Sequence, residues 1–228
     1  MRRMWKGREI SLGVRTTEAA GAAVALLVPF GVIAALVLGK SGELRELDND
    51  VTDALHVYAV GHPGWVEAMD WWSLAFHPNS WRLAALVLAI WLARRNEVVL
   101  AWWVAATMAA GGALGGVLKL LFGRHRPDLL DPVARATGFS FPSGHALNAA
   151  LGAAVFLLVL LPRAGGRGRR LALCAAGVLL PVITAYSRVA LGVHWTSDVV
   201  AGLLLGVAVP AITVTVFQGR RVRERAIG

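Results

Sequence analysis

The sequence predicts an all-α fold: a polytopic membrane helical bundle of six transmembrane helices with both termini cytoplasmic. Three observations predict it. Of the 228 residues, 57% are hydrophobic and only 16% charged, against about a quarter charged in a typical soluble domain. The mean hydropathy is +0.60, and the apolar residues gather into six long runs. Lys and Arg fall unequally into the connections between those runs, which sets an orientation. This composition excludes a conventional water-filled enzyme cleft in a soluble domain.

The first run, residues 19–38, follows a basic stretch. Its length, and the lack of a small-residue cleavage pattern leading into a soluble domain, make it a retained anchor rather than a signal peptide. The second, residues 81–93, is short against the roughly 20 residues a span needs. It is expected to begin near Trp72 or to be completed by the interfacial Trp71 and Trp72. The third, residues 98–122, carries Gly111, Gly112, Gly115 and Gly116, two overlapping small-x-x-x-small pairs that predict close helix packing. Runs 146–161, 171–190 and 199–217 complete the set. The chain reads as one domain over residues 1–228, with an outer loop at 39–80 whose segments 51–60 and 65–76 are expected to lie in the interface. Trp65, Trp71, Trp72 and Trp81 on one side, and Trp91, Trp102 and Trp103 on the other, fit aromatic belts. The single cysteine, Cys174, forms no intrachain disulfide and is expected to be packed inside.

Fifteen of the 23 Lys and Arg fall on one side: Arg2, Arg3, Lys6, Arg8 and Arg15, then Arg94 and Arg95, then Arg163, Arg167, Arg169 and Arg170, then Arg220, Arg221, Arg223 and Arg225. The other side holds eight, and its first loop also carries seven acidic residues between Glu43 and Asp70. Positive charge is retained on the cytoplasmic side, so both termini belong there. The formal charge of +9 is thereby explained by topology, and nucleic acid is not needed as a partner.

Ionisable residues at span ends are expensive and mark function by default, and here four ends point to one face. Lys119 closes the third run and is followed after six residues by Arg126-Pro127. Pro142-Ser143-Gly144-His145 opens the fourth. Ser187-Arg188 closes the fifth, and after five residues come His194 and, after three more, Asp198. Each set has a bland reading: snorkelling cations for the first, an ordinary capped helix for the second, and a structural His–Asp pair for the third. The functional readings are a cationic clamp, an anion-binding helix start with backbone N–H groups open at Gly144, and an imidazole oriented by a carboxylate. With the sixth helix begun by His194, the i, i+4 spacing places His194 and Asp198 on one face. His56, His62 and His77 match no ligand spacing and read as solvated loop residues; no metal site is expected. Arg124, inside the first motif, is expected to be an extra substrate contact.

Together the motifs Lys-x6-Arg-Pro, Pro-Ser-Gly-His and Ser-Arg-x5-His-x3-Asp, in this order over residues 119–198, resemble the type-2 phosphatidic acid phosphatase superfamily, which also includes the vanadium haloperoxidases. The resemblance implies a metal-independent hydrolase acting on a lipid phosphate or diphosphate through a phosphohistidine, without a cofactor. It implies His194 as nucleophile, Asp198 as the group that orients it, and His145 as proton donor to the leaving oxygen and later activator of water. Lys119, Arg126, Ser143, Gly144 and Arg188 would hold the phosphate oxygens. Cations and backbone N–H groups suit phosphoryl transfer, which depends chiefly on positioning and on stabilising charge.

The expected substrate is undecaprenyl diphosphate, with phosphatidylglycerophosphate and phosphatidate also open, handled on the extracytoplasmic side of a bacterial plasma membrane. Two other readings compete: a phosphotransferase using the same site with a lipid or sugar acceptor, and a non-catalytic lipid-binding membrane protein. The latter has no use for an oriented imidazole.

Overall fold

The structure, a computed structural model, describes residues 15–227, with side chains through residue 218. The described residues form α1 (Thr16–Leu38), α2 (Gly42–Gly61), α3 (Pro63–Ala75), α4 (Pro78–Arg94), α5 (Val98–Phe122), α6 (Gly144–Leu160), α7 (Arg167–Ala190) and α8 (Thr196–Ile227), and contain no strand. Arg2, Arg3, Lys6 and Arg8 of the charge count lie outside the described residues, as do the side chains of Arg220, Arg221, Arg223 and Arg225.

Among the described residues, five helices are long and apolar enough to cross a membrane: Thr16–Leu38, Val98–Phe122, Gly144–Arg163, Arg167–Ala190 and Thr196–Gln218. Their outward faces are apolar, with Val24, Val28 and Val32 on α1 and Leu120 and Leu121 on α5 exposed. Such faces are matched by hydrocarbon rather than water, and the chain is an integral membrane protein. The second expected span is α4. It does not begin near Trp72, because the chain breaks at Phe76–His77 and restarts with Pro78 at the first helical position, where His77 Nδ1 accepts from Asn79 N at 3.2 Å. At 17 residues it is about 26 Å long, shorter than the five segments just named, each of 20 residues or more.

The axis of the bundle is α6, with ten of its 17 residues buried against α4, α5, α7 and α8. Small residues set that packing. A Cβ on Gly202 would lie 2.8 Å from Ser143 O, and one on Gly206 2.5 Å from Leu147 O, so these two glycines let the backbones of α8 and α6 meet. Gly111 and Gly115 on α5 face Leu151 and Leu147 of α6, where a Cβ would come within 2.5 and 3.1 Å; Gly116 faces open space. The packing expected of the α5 glycines therefore holds for two of the four.

Three expectations are corrected. Residues 42–61 and 63–75 of the 39–80 segment are helices, α2 starting from Ser41, whose Oγ accepts from Leu44 N at 3.4 Å. Trp81 and Trp103 are buried rather than in a belt; Gly152 makes room for the Trp81 ring, since a Cβ there would sit 2.4 Å from it. Cys174 is exposed on α7, because only the C-terminal half of that helix turns its residues into the bundle.

Candidate active site

The C-terminal ends of α5 and α7 and the N-terminal ends of α6 and α8 converge, and they bring all eight sequence-predicted residues to one end of the bundle. Gly123 ends α5 in the left-handed conformation at φ 54°, its N–H donating to Lys119 O, and turns the chain into the irregular segment 123–143. Ser140 closes that segment on itself, its N–H donating to Arg124 O at 2.8 Å. Ser143 N then donates to Asp198 O at 3.0 Å, fastening the start of α6 to the start of α8.

His194 stands at the centre and is 2% exposed. The helix does not yet include it: α8 starts at Thr196, so the expected shared helical face is corrected. The contact forms nonetheless, because Asp198 folds its carboxylate back over the turn. Its Oδ2 accepts Trp195 N at 3.0 Å and lies 3.3 Å from His194 Nδ1. On the other side of the ring, Arg126 Nη1 lies 3.1 Å from Nε2. A guanidinium only donates, so Nε2 is the accepting nitrogen and Nδ1 carries the proton toward Asp198. Burial pushes the ring's pKa down to about 4, opposed by Asp198 and reinforced by Arg126 and Lys119. The result is a neutral imidazole with an oriented lone pair turned toward cations.

The cations are held by main chain. Lys119 Nζ donates to Phe139 O at 2.6 Å, and Arg126 donates to Gly138 O at 2.9 Å, Thr137 O at 3.1 Å and Val193 O at 2.6 Å. Burial lowers the Arg126 pKa, with Asp198 opposing. Gly144 adjoins Lys119: a Cβ there would be 3.8 Å from Lys119 Cε, an ordinary contact. Arg188 is buried and donates Nη1 to Ser73 Oγ on α3. His145 is half-buried, with Arg188, His77, His194 and Arg126 as its electrostatic neighbours. Ser143 Oγ and Arg188 Nε are buried without a hydrogen-bond partner among the described residues. These two unpaired donors, one of them on a cation, together with Lys119 and Arg126, suit an anion with several oxygens.

Four contributors were not assigned such places from sequence. His77 is no solvated loop residue: its ring packs edge-on against that of His145, centroids 5.1 Å apart. Ser73 anchors Arg188. Arg124 donates Nη1 to Asp198 Oδ1 and Nη2 to Asp48 Oδ2, both at 2.7 Å, which makes it a partner of Asp198 rather than a substrate contact. Asp48 in turn accepts Ser197 N at 2.8 Å and Ser197 Oγ at 2.5 Å. No signal along the chain singles these residues out: Asp48 is one of seven acidic residues between Glu43 and Asp70, and its burial and that of Ser73 come from the fold. Among the described residues, no group of three or more His, Cys, Asp or Glu could hold a metal ion.

The arrangement has relatives. Residues 100–222, more than half the chain, match the family model of the PAP2 superfamily. A decaprenylphosphoryl-5-phosphoribose phosphatase of Mycobacterium tuberculosis is 38% identical over 154 residues, covering 65% of this chain and 78% of the relative. An undecaprenyl-diphosphatase of Sulfolobus acidocaldarius is 37% identical over 110 residues, 45% of this chain and 48% of the relative. The crystal structure of a transmembrane PAP2-type phosphatidylglycerolphosphate phosphatase from Bacillus subtilis superposes with a TM-score of 0.69 at 26% identity, covering 84% of this chain and 94% of that one. The chain belongs to the PAP2 superfamily.

Proposed function

We propose that this protein is a membrane lipid phosphatase that hydrolyses a lipid phosphate or diphosphate through a phosphohistidine, with a polyprenyl diphosphate such as undecaprenyl diphosphate as the leading substrate. The observation that carries the reading is the His194 ring, neutral, tied through Nδ1 to Asp198 and presenting Nε2 to Arg126. A phosphate-binding scaffold needs the cations but not an oriented nucleophile.

In the proposed reaction Nε2 of His194 attacks phosphorus in line with the leaving group. The phosphorus–nitrogen bond forms as the phosphorus–oxygen bond breaks, and His145 delivers a proton to the departing oxygen. The imidazolium that develops is stabilised by Asp198. Lys119, Arg126 and Arg188, with Ser143 Oγ and the N–H groups at the start of α6, hold the equatorial oxygens. His145, now neutral, takes a proton from water, whose oxygen attacks phosphorus and displaces His194. These side chains supply the positive charge and the proton transfers, so the reaction is proposed to need no metal.

The same reading makes α4 the sixth span, short but flanked by apolar faces, with both termini cytoplasmic and the site on the extracytoplasmic side of a bacterial plasma membrane. The charge asymmetry of the connections supports that orientation. The polyprenyl substrate is supported by two relatives whose names carry such chains. The test is phosphate release by detergent-purified protein in EDTA from polyprenyl diphosphate, phosphatidylglycerophosphate and phosphatidate, beside His194→Ala. Release by the wild type alone is expected. A strict requirement for added magnesium, or equal release by His194→Ala, overturns the mechanism, and release only on adding a lipid or sugar acceptor identifies a transferase.

A further inference from the structure

At the other end of the bundle, about 25 Å away along α6, the helix ends frame a second cavity. It has a volume of about 970 Å³, and its polar wall is made by Arg95, Arg163, Arg169 and Glu97. Arg163 donates to Glu97 and to Val159 O, so the one acid of the cavity is already paired. Arg95 lies over the Trp91 ring, 5.0 Å from its centroid, and Arg169 has no ion pair among the described residues. Arg169 also sits in the first turn of α7, where no acidic residue is present. Positive charge at a helix N-terminus adds to the macrodipole instead of opposing it, so this end gains doubly from an anion.

The cavity is not polar throughout. Leu160 and Leu173 form part of its wall, and the same two residues line an apolar slot of about 390 Å³ between α4, α6 and α7 that runs up to Phe76 and Trp81. A cationic chamber at a helix-end boundary thus adjoins an apolar slot, with Leu160 and Leu173 in the walls of both. A free phosphate would use only the first; a detergent-like neutral lipid would use only the second. An anionic phospholipid uses both.

We propose that this end of the bundle binds one anionic phospholipid, its headgroup phosphate between Arg95, Arg163 and Arg169 and one acyl chain in the slot past Leu160 and Leu173. The site is separate from the PAP2 motifs and faces the opposite leaflet.

The test is native mass spectrometry of the full-length protein in detergent with phosphatidylglycerol or phosphatidylcholine of identical chains. The wild type is expected to retain one phosphatidylglycerol per chain in preference to phosphatidylcholine. Arg95→Gln/Arg169→Gln, which breaks no ion pair among the described residues, is expected to lower that retention at least about tenfold. Leu173→Trp, which narrows the slot, is expected to lower it with the arginines intact. Equal retention of the two lipids overturns the proposal, as does an unchanged double variant. Displacement of the lipid by millimolar inorganic phosphate reduces the site to a simple anion pocket and overturns the acyl-chain assignment. Retention abolished by Lys119→Ala but not by the arginine variant places the lipid at the motif end, and also overturns it.

Discussion

Asp48 and Asp198, on α2 and α8, share one guanidinium: Arg124 donates to both at 2.7 Å. Both carboxylates are buried, at 1% and 0% exposure. Two buried anions left facing each other would be costly, and removing one member of such a set is far more damaging than the net value of the pair suggests. The guanidinium's planar fork reaches two acceptors in fixed directions, which an ammonium cannot reproduce. Asp198 is therefore held from one side by Arg124 and turned toward His194 on the other.

Arg124→Lys is expected to lower kcat by about 100-fold with little change in KM, the size of effect a misplaced reacting group produces. Arg124 acts in this reading as a positioning residue through Asp198. Steady-state kinetics over pH on the lipid substrate check it, with the acid limb shifting along with kcat; a change in KM alone would show a substrate contact instead.

The depressed pKa of His194 has two consequences of known sign. The unfolded imidazole titrates near about 6.5, the folded one near about 4, so between those values the unfolded chain binds the extra proton. Stability contributed by His194 is complete above about pH 6.5 and is lost as pH falls toward about 4. Thermal denaturation in detergent at pH 7.5, 6 and 5 should show a falling Tm, and a smaller fall in His194→Gln. The acid limb of kcat/KM should lie near about 4, and a limb at the ordinary imidazole value would contradict the burial argument.

Gly206→Ala places a Cβ where Leu147 O is 2.5 Å away and Ala150 Cβ 2.7 Å away. Backbone cannot yield as a flexible side chain does, so α8 must move off α6, at a cost of about 1–3 kcal/mol. A lower Tm in detergent checks this. Gly116→Ala on α5, which meets nothing within 4 Å, is the control and should leave Tm unchanged.

Gly144→Ala separates packing from chemistry. Its Cβ makes only an ordinary contact with Lys119 Cε, so Tm should hold. The methyl group nevertheless takes up space beside Lys119, where phosphate oxygens are proposed to sit, and kcat/KM should fall by about 10- to 100-fold. Parallel Tm and kinetic measurements decide it; equal activity would remove Gly144 from the phosphate site.

The sequence by itself determined the apolar spans and the eight motif residues, because hydropathy and spacing are properties of consecutive residues. A span reads as a run of apolar side chains wherever it packs, and Lys119, His145, Arg188 and His194 fall at helix ends that alternate in direction. Its limits were equally local. The break at Phe76–His77 was missed because Trp71 and Trp72 are apolar enough to continue a span, and α2 was missed because its acids read as loop. Only the tertiary structure decided that Arg124 serves two carboxylates, one of them 76 residues away, that Ser73 anchors Arg188 across 115 residues, and that His77 lies on His145. Those contacts exist because Gly202 and Gly206 let α8 close on α6 and because α2 and α3 fold over the helix ends. Such packing is set by shape between remote segments, and no spacing along the chain records it.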